Sequence, residues 1–518
     1  MKKAKKVLTG LLCFALACPM VFSGCSSGNQ SGGNAASKNT SAASGSTSLV
    51  TLKFLEPGNK PKDYDKVTKE INSKLKADGT GVQIERQYIS WDAWSQKTNV
   101  MIQTNEPFDI LPIMEDLTPT SSYITNNALT DITSILDKEG KTVKKSVPDN
   151  LWKTFDGKIY NIPAYWREPA SFNMGQVRND LLKKWGLSVP TTPDEVLSDM
   201  KIAQSKWTGS QKLYLMVQSS YNAAKNKEIL LNRDCASYPF SVQDSFFYVD
   251  QKGSVKSWFE TPEFKQDCAF MRKAYKMGLI NPDILTQTND QYTKYFSSGD
   301  WFISFDAGMG NLAGVKTNNP SATNEDVVPM IFNPNKKAFR EFSFQNSVAI
   351  PAVSTHPNEA VRFINWLYSN ETNYDLFYYG DEGTHYTKDG EHGMVQILDP
   401  KNSNQVDYND NDWMSGNMAL ERYDNKNGFP AINKLYFTPD KTAEDSIANN
   451  FSFDTSKVQT KYVNIQTEAA QVMTPICMGV QDYDTNFAAA IRKMKAAGLD
   501  EVVAEYQKQF AAYLAKKK

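Results

Sequence analysis

The chain has 518 residues, more than one apolar core comfortably holds, so two or more domains are expected. With 40% hydrophobic and 22% charged residues it reads as globular, and a 12% aromatic share is rich. Its net charge of −1 becomes −5 without the four lysines among the first 24 residues, which argues against a nucleic-acid partner, since that needs a basic face.

Those lysines, Lys2, Lys3, Lys5 and Lys6, precede an apolar run from Val7 to Phe22. The run is short for a permanent membrane helix and has the shape of a secretory leader, residues 1–24. It ends in Phe22-Ser23-Gly24-Cys25, and small residues ahead of a Cys resemble the bacterial lipobox. There the Cys25 thiol receives diacylglycerol and becomes the new N-terminus, and two acyl chains make a firm anchor. Residues 25–48, rich in Ser, Gly and Asn, read as a disordered tether with a reach of roughly 25 Å. Cys13 and Cys18 leave with the leader, so Cys235, Cys268 and Cys477 allow one disulfide at most, and no C-x-x-C suggests a metal. Cys268 falls in a helical stripe with Phe264, Met271 and Tyr275 and reads as core.

Folded sequence begins at Leu49. Val50, Leu52 and Phe54 alternate as a strand that ends at Glu56-Pro57-Gly58. A helix from Asp63 carries Val67, Ile71 and Leu75 on one face and stops at Gly79. Val82 and Ile84 form a second strand, Trp91 to Thr104 a helix, and Asp109 to Ile113 a third strand. Such alternation makes a parallel sheet whose ligands lie beyond the carboxyl ends of the strands. Those ends are Glu56-Pro57-Gly58, Ser90-Trp91-Asp92 and Met114-Glu115-Asp116, all polar or aromatic.

From Asp156 to Leu182, a turn at Asp156-Gly157 feeds a strand from Lys158 to Ile162. Pro163 closes it, the cluster Tyr165-Trp166-Arg167-Glu168 follows, and a second strand leads into a helix bearing Leu181, Leu182 and Trp185. An extended crossing with aromatics and a carboxylate suits both a passage between lobes and a flat, hydroxylated ligand. Thr192-Pro193-Asp194-Glu195 caps a helix, Thr261-Pro262 opens another, and Phe296 to Asp306 is a turn into a strand. Ser347 to Pro351 is a strand, a helix starts at His356-Pro357, and two final helices meet at Gly498.

The segment order, with Pro107-Phe108-Asp109-Ile110-Leu111, Asp156-Gly157-Lys158-Ile159-Tyr160-Asn161-Ile162-Pro163, Gly299-Asp300-Trp301 and Val348-Ala349-Ile350-Pro351, resembles solute-binding lipoproteins of bacterial ABC importers. The resemblance is to the carbohydrate-uptake branch related to maltose-binding protein. Within it the chain is most similar to long Gram-positive lipoproteins with a motif like Tyr379-Gly380-Asp381-Glu382-Gly383-Thr384-His385-Tyr386. It implies an α/β fold of the periplasmic-binding type II kind, with two lobes hinged around a cleft. The implied first lobe is 49–164 and 342–395, the second 165–341 and 396–518. A monomer is implied, held at the extracellular face of the membrane, that captures a sugar and hands it to permease subunits without altering it. No cofactor is implied.

Sugars present apolar faces and a rim of hydroxyls, which aromatic rings and carboxylates match. The resemblance places Tyr165, Trp166 and Glu168 at the lobe crossing, Trp301 on the second-lobe wall, and Trp91 and Asp92 on the first-lobe rim. Met114 and Glu115 follow the third strand, and Tyr386, His385 and Trp413 come from the C-terminal part. Trp258 and Trp366 read as core. A glycoside hydrolase needs two carboxylates flanking a bond, and Glu168 with Asp306 or Glu382 are the candidates. A peptide-binding or sensory lipoprotein of the same fold is the third reading. Zinc chemistry lacks ligands, since His356, His385 and His392 show no H-E-x-x-H spacing. The run Asp407 to Asp412 fails as a calcium loop, because Asp412 and Met418 occupy the positions that need Gly and Glu.

Overall fold

The computed structural model describes residues 49–115, 117–155, 157–165, 175–217, 235–237, 246–305, 312–332, 339–340, 344–402, 405–437, 444–449 and 451–517. The strands that position the site are β1 (Val50–Pro57), β2 (Val82–Ile89), β3 (Leu111–Met114), β4 (Asn161–Pro163), β5 (Gly175–Arg178), β6 (Ile303–Ser304), β7 (Val327–Met330) and β8 (Asn346–Ala349).

Alternation in β1 sends Leu52 and Phe54 into one apolar cluster and Leu55 into another, so the strand is covered on both faces. It runs parallel to β2, from Val50 opposite Val82 to Pro57 opposite Ile89. The helix Tyr64–Ala77 makes the connection and buries Val67, Ile71 and Leu75 along one stripe. A parallel bridge between Phe54 and Ile110 brings β3 alongside β1. Strand β8 then pairs antiparallel with both β3 and β4. The first sheet thus reads β2-β1-β3-β8-β4, and the ends of β1, β2, β3 and β4 and the start of β8 share one edge.

The second sheet is antiparallel: β5 lies between β7 and β6, and Met216 bridges the far side of β6 at Ser304. Its largest apolar cluster takes Leu181 and Leu182 with the helices Pro193–Lys206, Pro262–Lys276, Tyr483–Ala496 and Leu499–Lys517. The Thr192 side chain accepts from the Glu195 N–H and Thr261 from Phe264, so both helix starts are capped as the sequence indicates. Cys268 and Cys477 are buried in this cluster. Among the described residues, no helix is long and apolar enough to cross a membrane.

Past the boundary expected at 395 the chain goes on packing with the first half. Tyr408 packs in a first-half cluster with Phe54 and Phe377, and Met414 in the other with Leu55 and Met114. Only from Phe429 and Ile432 does the chain join a second-half cluster, with Trp301 and Val327. The physical reason is Arg86 on β2, whose guanidinium is buried and donates to Tyr408 Oη at 2.7 Å and to the Asp410 carboxylate. Tyr88 Oη donates to the same carboxylate at 2.7 Å. A buried guanidinium needs a counter-charge, and the 405–424 stretch supplies it.

Candidate functional site

The shared edge of the first sheet gathers residues far apart in sequence. Met114 stands opposite Asn346, and the Glu115 N–H donates to the Gln345 carbonyl at 2.8 Å. The Ala164 N–H donates to the Asn346 carbonyl at 2.9 Å, which puts Tyr165 beside it. Trp91 follows β2 and stacks on Trp413, with ring centroids 5.8 Å apart and planes 21° from parallel. Both rings are half-buried against the cluster that holds Met114. The Trp413 indole N–H donates to Asn411 Oδ1 at 3.2 Å, while Asn411 Nδ2 donates to the Pro57 carbonyl at 3.1 Å. Asn346 Nδ2 donates to the Trp413 carbonyl at 3.1 Å. Tyr165 and Asn417 form a parallel bridge. Of the predicted residues, then, Trp91, Met114, Glu115, Tyr165 and Trp413 converge, and Asp92 is exposed beside Trp91.

The Glu115 carboxylate accepts from the Thr120 N–H at 3.2 Å and from its hydroxyl, which orients it. Lys153 lies near it: burial holds the ammonium below the usual lysine range, and the Glu115 charge opposes that shift. Its Nζ reaches Ser452 Oγ at 3.4 Å, a residue between Phe451 and Phe453 of the second-half core. Burial likewise pushes the Asp412 carboxyl up to about 6, against the hydrogen bond that it accepts from Tyr379 Oη at 2.6 Å.

Trp301 lies apart from this group. It precedes β6, and β6 runs antiparallel to β5, so Trp301 lies at the Arg178 end of the sheet. The ring is 0% exposed, packed 5.3 Å from Phe296 with the Arg178 guanidinium 5.8 Å over it. His385 is 1% exposed; its Nδ1 accepts from the Asp381 N–H at 2.9 Å and its Nε2 lies 3.3 Å from Asp63, closing a turn. Tyr386 is buried against Tyr379, at 6.0 Å, in the first-half core. Trp166 and Glu168 lie outside the described residues, as does Asp306. The edge of the second sheet near Gly175, Phe305 and Met330 continues into 166–174, 218–234, 306–311 and 333–338, also outside them.

Sequence reasoning missed Asn346 and Asn411, whose amides carry no signal of their own. It also missed the buried hydroxyls of Tyr368, Tyr374, Tyr378 and Tyr379 behind Trp413. The spacing of Tyr374 and Tyr378 on one helix face was the available cue.

A parallel sheet interrupted by one antiparallel strand, with a second sheet reached by crossings at its edge, defines a type II periplasmic-binding fold, the architecture of solute-binding proteins. Residues 58–374 match the bacterial extracellular solute-binding protein family, and the chain belongs to it. Residues 447–515 match a domain of unknown function, DUF3502, which corresponds to the C-terminal helices on the second sheet. The chain is 22% identical over 394 residues to the polygalacturonan/rhamnogalacturonan-binding protein YtcQ of Bacillus subtilis, covering 72% of this chain and 73% of that one. It is 24% identical over 304 residues to the fructooligosaccharide ABC transporter substrate-binding protein FusA of Streptococcus pneumoniae, covering 55% and 54%. The structure of the N-glycan transport solute-binding protein NgtS of Streptococcus pneumoniae, in complex with Man5GlcNAc, superposes with a TM-score of 0.69 at 21% identity. That match covers 90% of this chain and 99% of NgtS.

Proposed function

We propose that the protein captures an oligosaccharide at the edge of its first sheet and delivers it, chemically unchanged, to an ABC importer in the membrane to which Cys25 anchors it. The observation that carries this reading is the stacked, half-buried pair Trp91 and Trp413 beside Tyr165 and Glu115. Indole faces match the C–H faces of a pyranose, and an oriented carboxylate matches vicinal hydroxyls. The sugars named for YtcQ, FusA and NgtS point to the same class of ligand.

The energetics are sufficient. A micromolar dissociation constant needs about 8 kcal/mol net. Stacked rings and a few charge-assisted hydrogen bonds supply that after ordering costs. Closure then requires only that the sugar bind the closed form better than the open one. Trp166 and Glu168, next after Tyr165 in the chain, are the further proposed contacts, and the protein acts as a monomer.

A thermal-shift screen of the mature protein tests the reading with Man5GlcNAc, oligogalacturonides and fructo-oligosaccharides, each followed by chromatography of the sugar. Stabilisation by one class with the sugar recovered intact is expected. Release of shorter products would instead favour a hydrolase, and stabilisation by peptides alone a peptide-binding lipoprotein.

A further inference from the structure

Trp413 stands on a short segment whose polar groups are met by buried tyrosines. Tyr368 Oη donates to the Ser415 carbonyl at 2.7 Å and to the Gly416 carbonyl at 3.0 Å. Tyr378 Oη pairs with Ser415 Oγ at 3.0 Å, and Tyr379 Oη donates to the Asp412 carboxylate at 2.6 Å. Tyr374 Oη accepts from the Asn417 N–H at 3.0 Å. The tyrosines come from the end of the helix Pro357–Leu367 and from the helix Glu371–Tyr378 with its cap, all rigid parts of the first-half core.

The fit leaves no slack. A methyl on Gly416 would collide with the Asp412 carbonyl oxygen and the Tyr374 hydroxyl. Residue 416 must therefore be glycine for the segment to pass this close to the ring. The Gly416 carbonyl also accepts from the Tyr165 N–H at 3.0 Å, so the same segment fixes the residue that opens the lobe crossing. Buried hydroxyls keep their partners because no water replaces them, and a group held on several sides has one pose.

We propose that Tyr368 and Tyr379, with Tyr374 and Tyr378, are positioning residues that set the pose of Trp413 against Trp91 and so preorganise the sugar platform. The proposal rests on the reading of that pair as the ligand platform. Preorganisation matters because a ring already in place costs no rotamer entropy when sugar docks. None of the four hydroxyls needs to touch the ligand. They act through the backbone of residues 412–417.

Two stacked indoles give a far-ultraviolet exciton couplet in circular dichroism, and the difference between wild type and Trp413→Phe isolates it. Tyr368→Phe and Tyr379→Phe remove one hydroxyl each and keep the ring. Tyr386→Phe, equally buried in the same core but with its hydroxyl bonded to Asp375 instead of to residues 412–417, is the control. At least half of the couplet is expected to vanish in each of the first two variants and to persist in the third. An intact couplet in both test variants overturns the proposal, and so does an equal loss in the control, which marks a general loosening of the core. Affinity for whichever of Man5GlcNAc, oligogalacturonides or fructo-oligosaccharides binds wild type is expected to fall about tenfold in the two test variants. A lost couplet with unchanged affinity would keep the tyrosines as positioning residues. It would remove the Trp pair as platform, so the two ideas fail separately.

Discussion

Trp413 and Trp301 follow nearly the same words, Asn-Asp-Trp and Gly-Asp-Trp, and meet opposite fates. In both turns the acid is tied down: Asp300 accepts from Ser210 Oγ at 3.0 Å and Asn318 Nδ2 at 3.1 Å, as Asp412 does from Tyr379. The difference is what comes next. Gly299, at φ 71°, reverses the chain out of a helix and straight into β6, which lies between β5 and Met216, so Trp301 points into a closed interior. After Trp413 the chain stays outside the first sheet, leaning on its edge, and the indole stays half-buried. An aromatic beside an acid therefore reports a tight turn, and topology decides whether the ring serves packing or a ligand.

The largest effect is expected where the edge segment is fastened. Arg86→Met leaves Asp410 buried without its cation, and breaking a buried pair in this way costs about 3–5 kcal/mol. Urea unfolding should show that loss, and ligand binding should weaken with it, because the 405–424 stretch carries Trp413. A variant as stable as wild type would mean that the stretch is held by its apolar contacts alone.

The two tryptophans give the next contrast. Trp301→Ala empties a packed core site and is expected to cost about 3–5 kcal/mol in unfolding while the folded fraction binds sugar normally. Trp413→Ala should do the reverse: at least tenfold weaker binding, about 1.4 kcal/mol, with a small change in melting temperature. Calorimetric titration and thermal unfolding of both variants read the crossover. If Trp301→Ala were the one that lost affinity, the burial argument would be wrong.

Much of the frame was legible before any coordinates. The stripe Val67, Ile71, Leu75, the strand alternation at Leu52 and Phe54, and the caps at Thr192 and Thr261 are local signals, and each element formed where its pattern lay. The carboxyl edge was legible too, since Trp91, Met114 and Glu115 close successive strands of a parallel sheet. What was not legible depends on partners distant in the chain. No local pattern says that Arg86 will claim Asp410, 324 residues on, and so draw 405–424 onto the first half. Nor does one say that the strand after Trp301 is flanked by β5 and Met216, or that His385 closes a turn against Asp63. Residue type marked the aromatics; long-range pairing assigned their jobs.

The smallest effect expected comes from an acid pair that makes no part of the proposed ligand edge. Glu70 and Asp381 share a hydrogen bond, which with burial and the Asp381 charge pushes Glu70 up to about 7, while Lys66 opposes the shift. Asp381 keeps the negative charge: against burial, hydrogen bonds from Glu70 and Lys66 hold its carboxyl below the usual range, with Lys66 Nζ 2.7 Å away. Glu70 therefore binds its proton more tightly in the folded chain than in the unfolded one. Below its ordinary value both states are protonated and Glu70 costs nothing. As pH rises from there through about 7, the folded chain must give up that proton beside Asp381 and stability declines. Glu70→Gln mimics the protonated form, so it should melt higher than wild type at alkaline pH and match it in acid. Because the pair is partly exposed, added salt should shrink the difference. Sugar affinity should be the same for both proteins across that range, since the ligand edge shares none of these groups; a pH-dependent difference in affinity would tie the two regions together.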